Sequence, residues 1–145
     1  MQMNEVVSID KFKNGLRNAG LKYTPQRGLI LSTLLAHGSL SNAEVANAVA
    51  GKVDRATVYR ILAVFEDLKL IHRIWDGWKS KVELSDKFVA HHHHASCREC
   101  GQVLRIESDT LEKTLQGVVS QLLFTMDDHT VELRGLCQKC NKKAP

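Results

Sequence analysis

The chain has 145 residues, 43% of them apolar and 25% charged, and a formal net charge of +4. Those proportions belong to a globular protein in water, and no apolar run approaches the roughly 20 residues that cross a bilayer, so membrane insertion is excluded. The opening Met1-Gln2-Met3-Asn4-Glu5 has neither the basic nor the apolar region of a secretory leader, so the expected location is cytoplasmic, with thiols kept reduced.

This length suits one ordinary domain or two small ones, and either half alone would have a thin core. Lys and Arg clearly outnumber Asp and Glu over residues 1–82, whereas residues 83–145 are slightly acidic. The asymmetry points to a front half that meets nucleic acid.

Ile9, Phe12, Leu16 and Ala19 recur at helical spacing, predicting a short amphipathic helix over residues 8–19 that Gly20 ends. Thr24-Pro25 is an N-cap followed by a first-turn proline, opening a helix to about Ala36 with Leu29, Ile30, Leu34 and Leu35 facing a core. Ser41-Asn42-Ala43-Glu44 is a capping box for a third helix carrying Val45, Val49 and Ala50, closed by Gly51. Asp54 caps a fourth, residues 55–68, whose buried stripe is Val58, Ile61, Leu62, Phe65 and Leu68. Arg55, Thr57, Tyr59 and Arg60 are left outside the core near its start.

After Leu70 the period changes to two. Residues 71–76 and 79–84 read as a hairpin turned at Asp76-Gly77. Helices followed by a hairpin make a winged helix-turn-helix, whose recognition helix enters the major groove by its N-terminal residues. Tyr59 and Arg60, then Thr57 and Arg55, are the candidate DNA contacts, with Lys22 and Arg27 as phosphate contacts. The alternative is that Tyr59 is a half-buried aromatic and Arg60 the partner of a surface ion pair.

Residues 91–101, His-His-His-His-Ala-Ser-Cys-Arg-Glu-Cys-Gly, are the densest run of metal-ligating side chains in the chain. In a strand, His92 and His94 would project to one face and His91 and His93 to the other, so one strand could serve two metal sites. Cys97 and Cys100 repeat their spacing in Cys137 and Cys140, which in a reducing compartment reads as a structural zinc tetrathiolate. A redox Cys-x-x-Cys would precede a helix in a βαβ unit, and neither pair does. The rest of the back half is expected as a strand at 103–106, a helix over about 109–123 with Leu111, Leu115, Val118, Val119 and Leu122 on one side, and a strand at 130–136. The fold class is thus α+β: an N-terminal winged helix-turn-helix domain over 1–85, a hinge at about 85–90, and a small C-terminal α/β domain over 91–145.

Thr57-Val58-Tyr59-Arg60, the His run, Cys97-x-x-Cys100-Gly101 and Cys137-x-x-Cys140, in that order, resemble the ferric uptake regulator family of metal-dependent repressors over nearly the whole chain. The resemblance is strongest to its zinc uptake regulators. It implies a transcriptional regulator of metal-ion homeostasis, not an enzyme. It further implies a homodimer that binds a palindromic double-stranded operator through its front halves and dimerises through its back halves. His72, Glu83, His92 and His94 match the regulatory metal site of such proteins, and His91, His93, Glu112 and His129 match a further site. Glu83 stands where zinc regulators commonly have Cys. His37 is displaced from the loop histidine of iron and peroxide sensors, and Arg105 replaces an acidic ligand; both count against an octahedral site.

Four ligands of His and carboxylate type favour tetrahedral Zn2+ as the sensed metal over Fe2+ or Mn2+, the alternatives within the family. Two readings from other classes stay open at this point. A zinc hydrolase would need an open coordination position and a general base, and no His-Glu-x-x-His helix exists; a metal-independent nucleic-acid-binding protein would leave the His run idle.

Overall fold

The computed structural model describes residues 2–76 and 79–142. Two compact units divide the chain, one ending at Ala90 and the other beginning at His91. The first contains α1 (Gln2–Asn18), α2 (Pro25–His37), α3 (Asn42–Ala48), α4 (Arg55–Asp67), β1 (Ile71–Asp76) and β2 (Lys79–Leu84).

Local capping chemistry starts three of these helices. Thr24 accepts from the Arg27 amide, Ser41 and Glu44 form a reciprocal capping box, and Asp54 accepts from the Thr57 amide at 2.9 Å. Gly38 and Gly51 follow α2 and α3 with φ of 71° and 79°, the left-handed conformation that glycine adopts without a Cβ clash. α1 begins at Gln2, earlier than its apolar periodicity indicates. Leu31 is buried in α2 beside Ile30 and Leu34, while Leu29 and Leu35 only flank the core. Ala46 takes the buried place expected of Ala50, because α3 ends at Ala48 and Ala50 lies in the turn beyond it. Ala19 is exposed, past the end of α1.

One apolar cluster holds this unit together. Phe12 and Leu16 of α1, Ile30, Leu31 and Leu34 of α2, Val45 of α3 and Val58, Leu62 and Phe65 of α4 are fully or almost fully buried. Phe12 meets Phe65 edge to face at 4.8 Å, a favoured aromatic geometry. β1 and β2 pair antiparallel from Ile71↔Leu84 to Asp76↔Lys79, and Leu40 adds a bridge to Val82. The Gly77 end of the expected turn lies outside the described residues.

The second unit contains β3 (His93–Cys97), β4 (Val103–Ile106), α5 (Asp109–Gln121), β5 (Glu132–Gly135) and α6 (Gln138–Asn141). Its sheet runs β4-β3-β5, with β3 antiparallel to β4 and parallel to β5. β3 starts at His93 rather than earlier in the histidine run because its partner ends at Ile106, and the chain then turns through Ser108, the N-cap of α5. The apolar cluster of the first unit has no counterpart here. Among the described residues of the second unit only Cys97 and Cys137 are buried apolar side chains, and α5 buries none. Val118, Leu122, Leu123 and Phe124 at the end of α5, with Leu104 and Leu133 of the sheet, are exposed. The architecture is a winged helix-turn-helix joined to a small α/β domain.

Candidate metal centres and nucleic-acid interface

In the second unit, β3 delivers Cys97 and the following turn Cys100; Cys137 caps α6 and Cys140 lies within it. The four sulfurs lie within 4.8 Å of one another, and none is in a disulfide. Gly101, at φ 69°, closes the first knuckle with its amide on the Cys97 carbonyl at 2.9 Å. The Cys137 amide donates to Cys97 Sγ at 3.3 Å, and Cys100 Sγ lies 3.7 Å from Cys137 Sγ. Amides of Cys100 and Cys137 aimed at the sulfur hold the Cys97 thiol down at about 6. The amide of Cys140 likewise lowers Cys137. Cys140 is pushed up to about 12, first by its contact with the Cys137 sulfur and then by burial and the remaining sulfurs. Four sulfurs this close cannot all be thiolates without a cation, and the donor set is one that holds a structural zinc.

A second cluster lies at the start of the sheet. One ligand atom each from His91, His93, Glu112 and His129 falls within the same 4.8 Å limit. Glu112, in the first turn of α5, sits 2.7 Å from His93 Nε2 and, through its other oxygen, 3.0 Å from His129 Nε2. His91 Nε2 is 3.2 Å from His129 Nε2. His93 is buried, and its Nδ1 accepts from the Val131 amide at 3.2 Å, which leaves the Nε2 proton for Glu112. The His93 hydrogen bond, followed by the fields of His129 and His91, holds the Glu112 carboxyl below its ordinary value. Three imidazoles and a carboxylate suit zinc, iron or manganese.

The remaining expected ligands lie as two pairs, one in each unit. His72 and Glu83 are directly opposed across the wing ladder, with Nε2 and Oε1 2.8 Å apart. His92 and His94 have ring centres 4.8 Å apart, while His91 and His93 pair at 4.7 Å. The even and odd histidines group as a strand's alternation dictates.

At the start of α4, Asp54 is held below the usual carboxylate range by its cap bonds to Thr57. Arg60 donates to Thr57 Oγ1 at 3.0 Å, and the Arg55 guanidinium lies over the Tyr59 ring at 5.7 Å. Tyr59 is 39% exposed. This row of hydroxyl, aromatic and guanidinium groups on an accessible helix end is chemically suited to base edges and phosphates. Lys22 is exposed, and its carbonyl accepts from the Arg27 guanidinium, which ties the turn before α2 to that helix.

Sequence reading did not find the Glu66–Arg73 ion pair. Arg73 of β1 donates through Nε and Nη2 to the two Glu66 oxygens, at 2.9 and 2.7 Å, and through Nη1 to Ser80 of β2 at 3.0 Å. The Arg73 hydrogen bonds lower the Glu66 carboxyl, and those of Glu66 raise the Arg73 guanidinium. Seven residues separate the partners across the end of a helix, and no local motif signals such a contact.

A winged helix-turn-helix with an exposed basic helix end, joined to a domain with clusters of possible metal ligands, is the architecture of a metal-dependent DNA-binding regulator. The model of the "Ferric uptake regulator family" matches residues 18–134, and the chain belongs to that family. It is 36% identical over 143 residues to the ferric uptake regulation protein of Bacillus subtilis, covering 93% of this chain and 95% of that one. The crystal structure of the Vibrio cholerae ferric uptake regulator is similar at a TM-score of 0.72 and 30% identity, over 86% of this chain and 98% of that chain. A zinc uptake regulator complexed with zinc and DNA shares the fold at a TM-score of 0.57 and 18% identity, over 97% of this chain and 96% of that one. Members of this family are DNA-binding transcription regulators and not enzymes, which closes the hydrolase reading. No helix among the described residues is long and apolar enough to cross a membrane.

Proposed function

We propose that this regulator is a zinc-responsive repressor of metal-homeostasis genes, acting in the cytoplasm as a homodimer on a palindromic DNA operator. Residues 1–85 bind DNA through Tyr59, Arg60, Thr57 and Arg55, supported by Lys22 and Arg27, and residues 91–145 dimerise. Cys97, Cys100, Cys137 and Cys140 hold a structural zinc. His72, Glu83, His92 and His94 form the regulatory site, with His91, His93, Glu112 and His129 as an additional one.

The observation that carries this reading is the pairing of ligands on both units: His72 opposite Glu83 on the wing, and His92 beside His94 near the start of β3. A metal that takes two ligands from each unit favours one angle between them over all others. Its binding energy then appears as a shift toward the DNA-binding conformation, because its affinity for the two states differs. Three imidazoles and one carboxylate match the four-coordinate preference of zinc. The exposed apolar side chains Leu104, Leu133 and Val118 supply a surface for a second copy to cover.

The test uses a duplex selected from a random-sequence pool by the zinc-loaded protein. Protein holding one zinc per chain, at the cysteines, is compared with protein given further zinc, iron(II) or manganese(II). The expected result is tight binding with zinc and loss of that gain in His92→Ala, with the dimer still folded. Cobalt substitution at the non-thiolate sites should give tetrahedral absorption. Equal DNA affinity with and without added metal would overturn the sensor reading; octahedral cobalt and a response to iron or manganese alone would replace zinc as the sensed metal.

A further inference from the structure

Neighbouring residues of β1 serve two different neighbourhoods. His72 meets Glu83 on one face of the wing ladder. Arg73 projects to the opposite face, as alternation requires, and there grips Glu66 near the C-terminal end of α4. Its third nitrogen reaches Ser80 on β2, and the guanidinium lies 6.0 Å from the centre of the Trp75 ring. One side chain therefore ties three elements together: the recognition helix and both strands of the wing.

The tie has a definite geometry. Two parallel N–H···O bonds between a planar guanidinium and a carboxylate fix distance and orientation together, which a lysine ammonium cannot do. The pair is part-buried, with side-chain exposures of 19% for Arg73 and 37% for Glu66, and it has a directional effect beside any stabilising one. α4 is a continuous helix of 13 residues, so Glu66 near its end and Tyr59 and Arg60 in its first turns belong to one hydrogen-bonded element. The Leu40–Val82 bridge and buried Ile71, Val82 and Leu84 seat the hairpin on the helices, but among the described side chains Arg73 makes the bidentate link from α4 to the wing.

We propose that Arg73 is a positioning residue that carries the state of the His72–Glu83 ligand pair to the recognition helix through Glu66. This rests on the reading of His72 and Glu83 as half of the regulatory metal site. Ligation that fixes the wing ladder at His72 restrains the adjacent residue, and Arg73 passes the restraint to the reading head. Metal then sharpens the presentation of Tyr59 and Arg60 as well as the disposition of the two units.

Coupling of this kind is measured as a ratio of affinities. Full-length protein with one zinc per chain and the same protein with added zinc are titrated against the selected duplex by fluorescence anisotropy. Zinc uptake without DNA is measured in parallel. Arg73→Gln should lower the zinc-induced gain in DNA affinity by about 3-fold or more, within the range that coupling substitutions produce. Zinc uptake without DNA should remain that of the wild type. Arg73→Lys, which keeps the charge but loses the fork, should lower the gain similarly and guards against poor folding of Arg73→Gln. Glu66→Gln should reproduce the loss, and combining it with Arg73→Gln should add little, as expected of two residues acting through one contact.

Wild-type gain in Arg73→Lys and Glu66→Gln would overturn the inference, and so would equal weakening with and without added zinc, which marks a plain structural or phosphate-contact role. A wild-type protein with no zinc-induced gain would remove the parent reading, and this inference with it.

Discussion

The two units are stabilised by different physics. The first has an apolar cluster drawn from all four helices and the wing, with Phe12, Leu16, Val45, Val58, Leu62 and Phe65 fully removed from water. In the second, the buried side chains among the described residues are Cys97, Cys137, His92, His93, His94 and Ser96, which are cysteines and polar groups rather than aliphatic ones, and α5 buries nothing. A unit of this size cannot rely on hydrophobic burial, and metal ligation is a common substitute. The first unit thus has a core to hold it, whereas the second has clusters of possible metal ligands and is expected to depend on what they bind.

That contrast can be broken or sharpened by substitution. The largest effect is expected for Cys137→Ser, which removes one of four zinc ligands. Zinc content should fall by one equivalent per chain, and the sheet of the second unit should lose its structure, as seen by circular dichroism and by proteolysis within residues 93–142. Phe65→Ala should destabilise the first unit by about 3–5 kcal/mol, the usual cost of emptying an aromatic site in a core. Denaturant unfolding would show this while zinc content stays at the wild-type level.

Leu133→Glu is expected to leave both units folded, because the side chain is 54% exposed, but to dissociate the proposed dimer in sedimentation experiments. A dimer of unchanged strength would show that this face is not the interface. The smallest effect concerns acid. The hydrogen bond from His93, then the fields of His129 and His91, depress the Glu112 carboxyl in the folded chain. Its contribution to stability is therefore complete above the ordinary value of 4.5 and is lost as pH falls through the lower folded value. Glu112→Gln should flatten that acid limb in melting experiments on metal-free His91–His129 sites, and an unchanged limb would assign the acid sensitivity elsewhere.

What could be read from the residues and what could not divides along physical lines. Helix starts were legible at Thr24, Ser41 and Asp54, because capping is a local event within four residues. The wing hairpin was legible from alternation and a turn signal, but the register that sets His72 against Glu83 depends on the turn geometry and appears only in the fold. The alternation of the histidine run foretold the His91–His93 and His92–His94 groupings. Its ladder begins only at His93, because strand length depends on how far a distant partner extends. The four-residue α6 left no periodicity to detect. Leu31, absent from the expected core, is buried with Ile30 and Leu34 in the shared cluster, so the apolar face of α2 is broader than a single stripe. Arg73 and Glu66 carry no shared signal in the chain; only the fold brings them together. The apolar stripe of α5 was visible at Leu111, Leu115, Val118, Val119 and Leu122, but amphipathic spacing does not say whether its partner lies in the same chain.

The central claim, that a core maintains one unit and metal the other, is tested most directly by amide hydrogen exchange on the full chain before and after complete removal of zinc. The account predicts that amides of β3, β4 and β5 lose their protection while those of α2 and α4 keep theirs. Unchanged protection in the second unit, or equal loss in both, would contradict it.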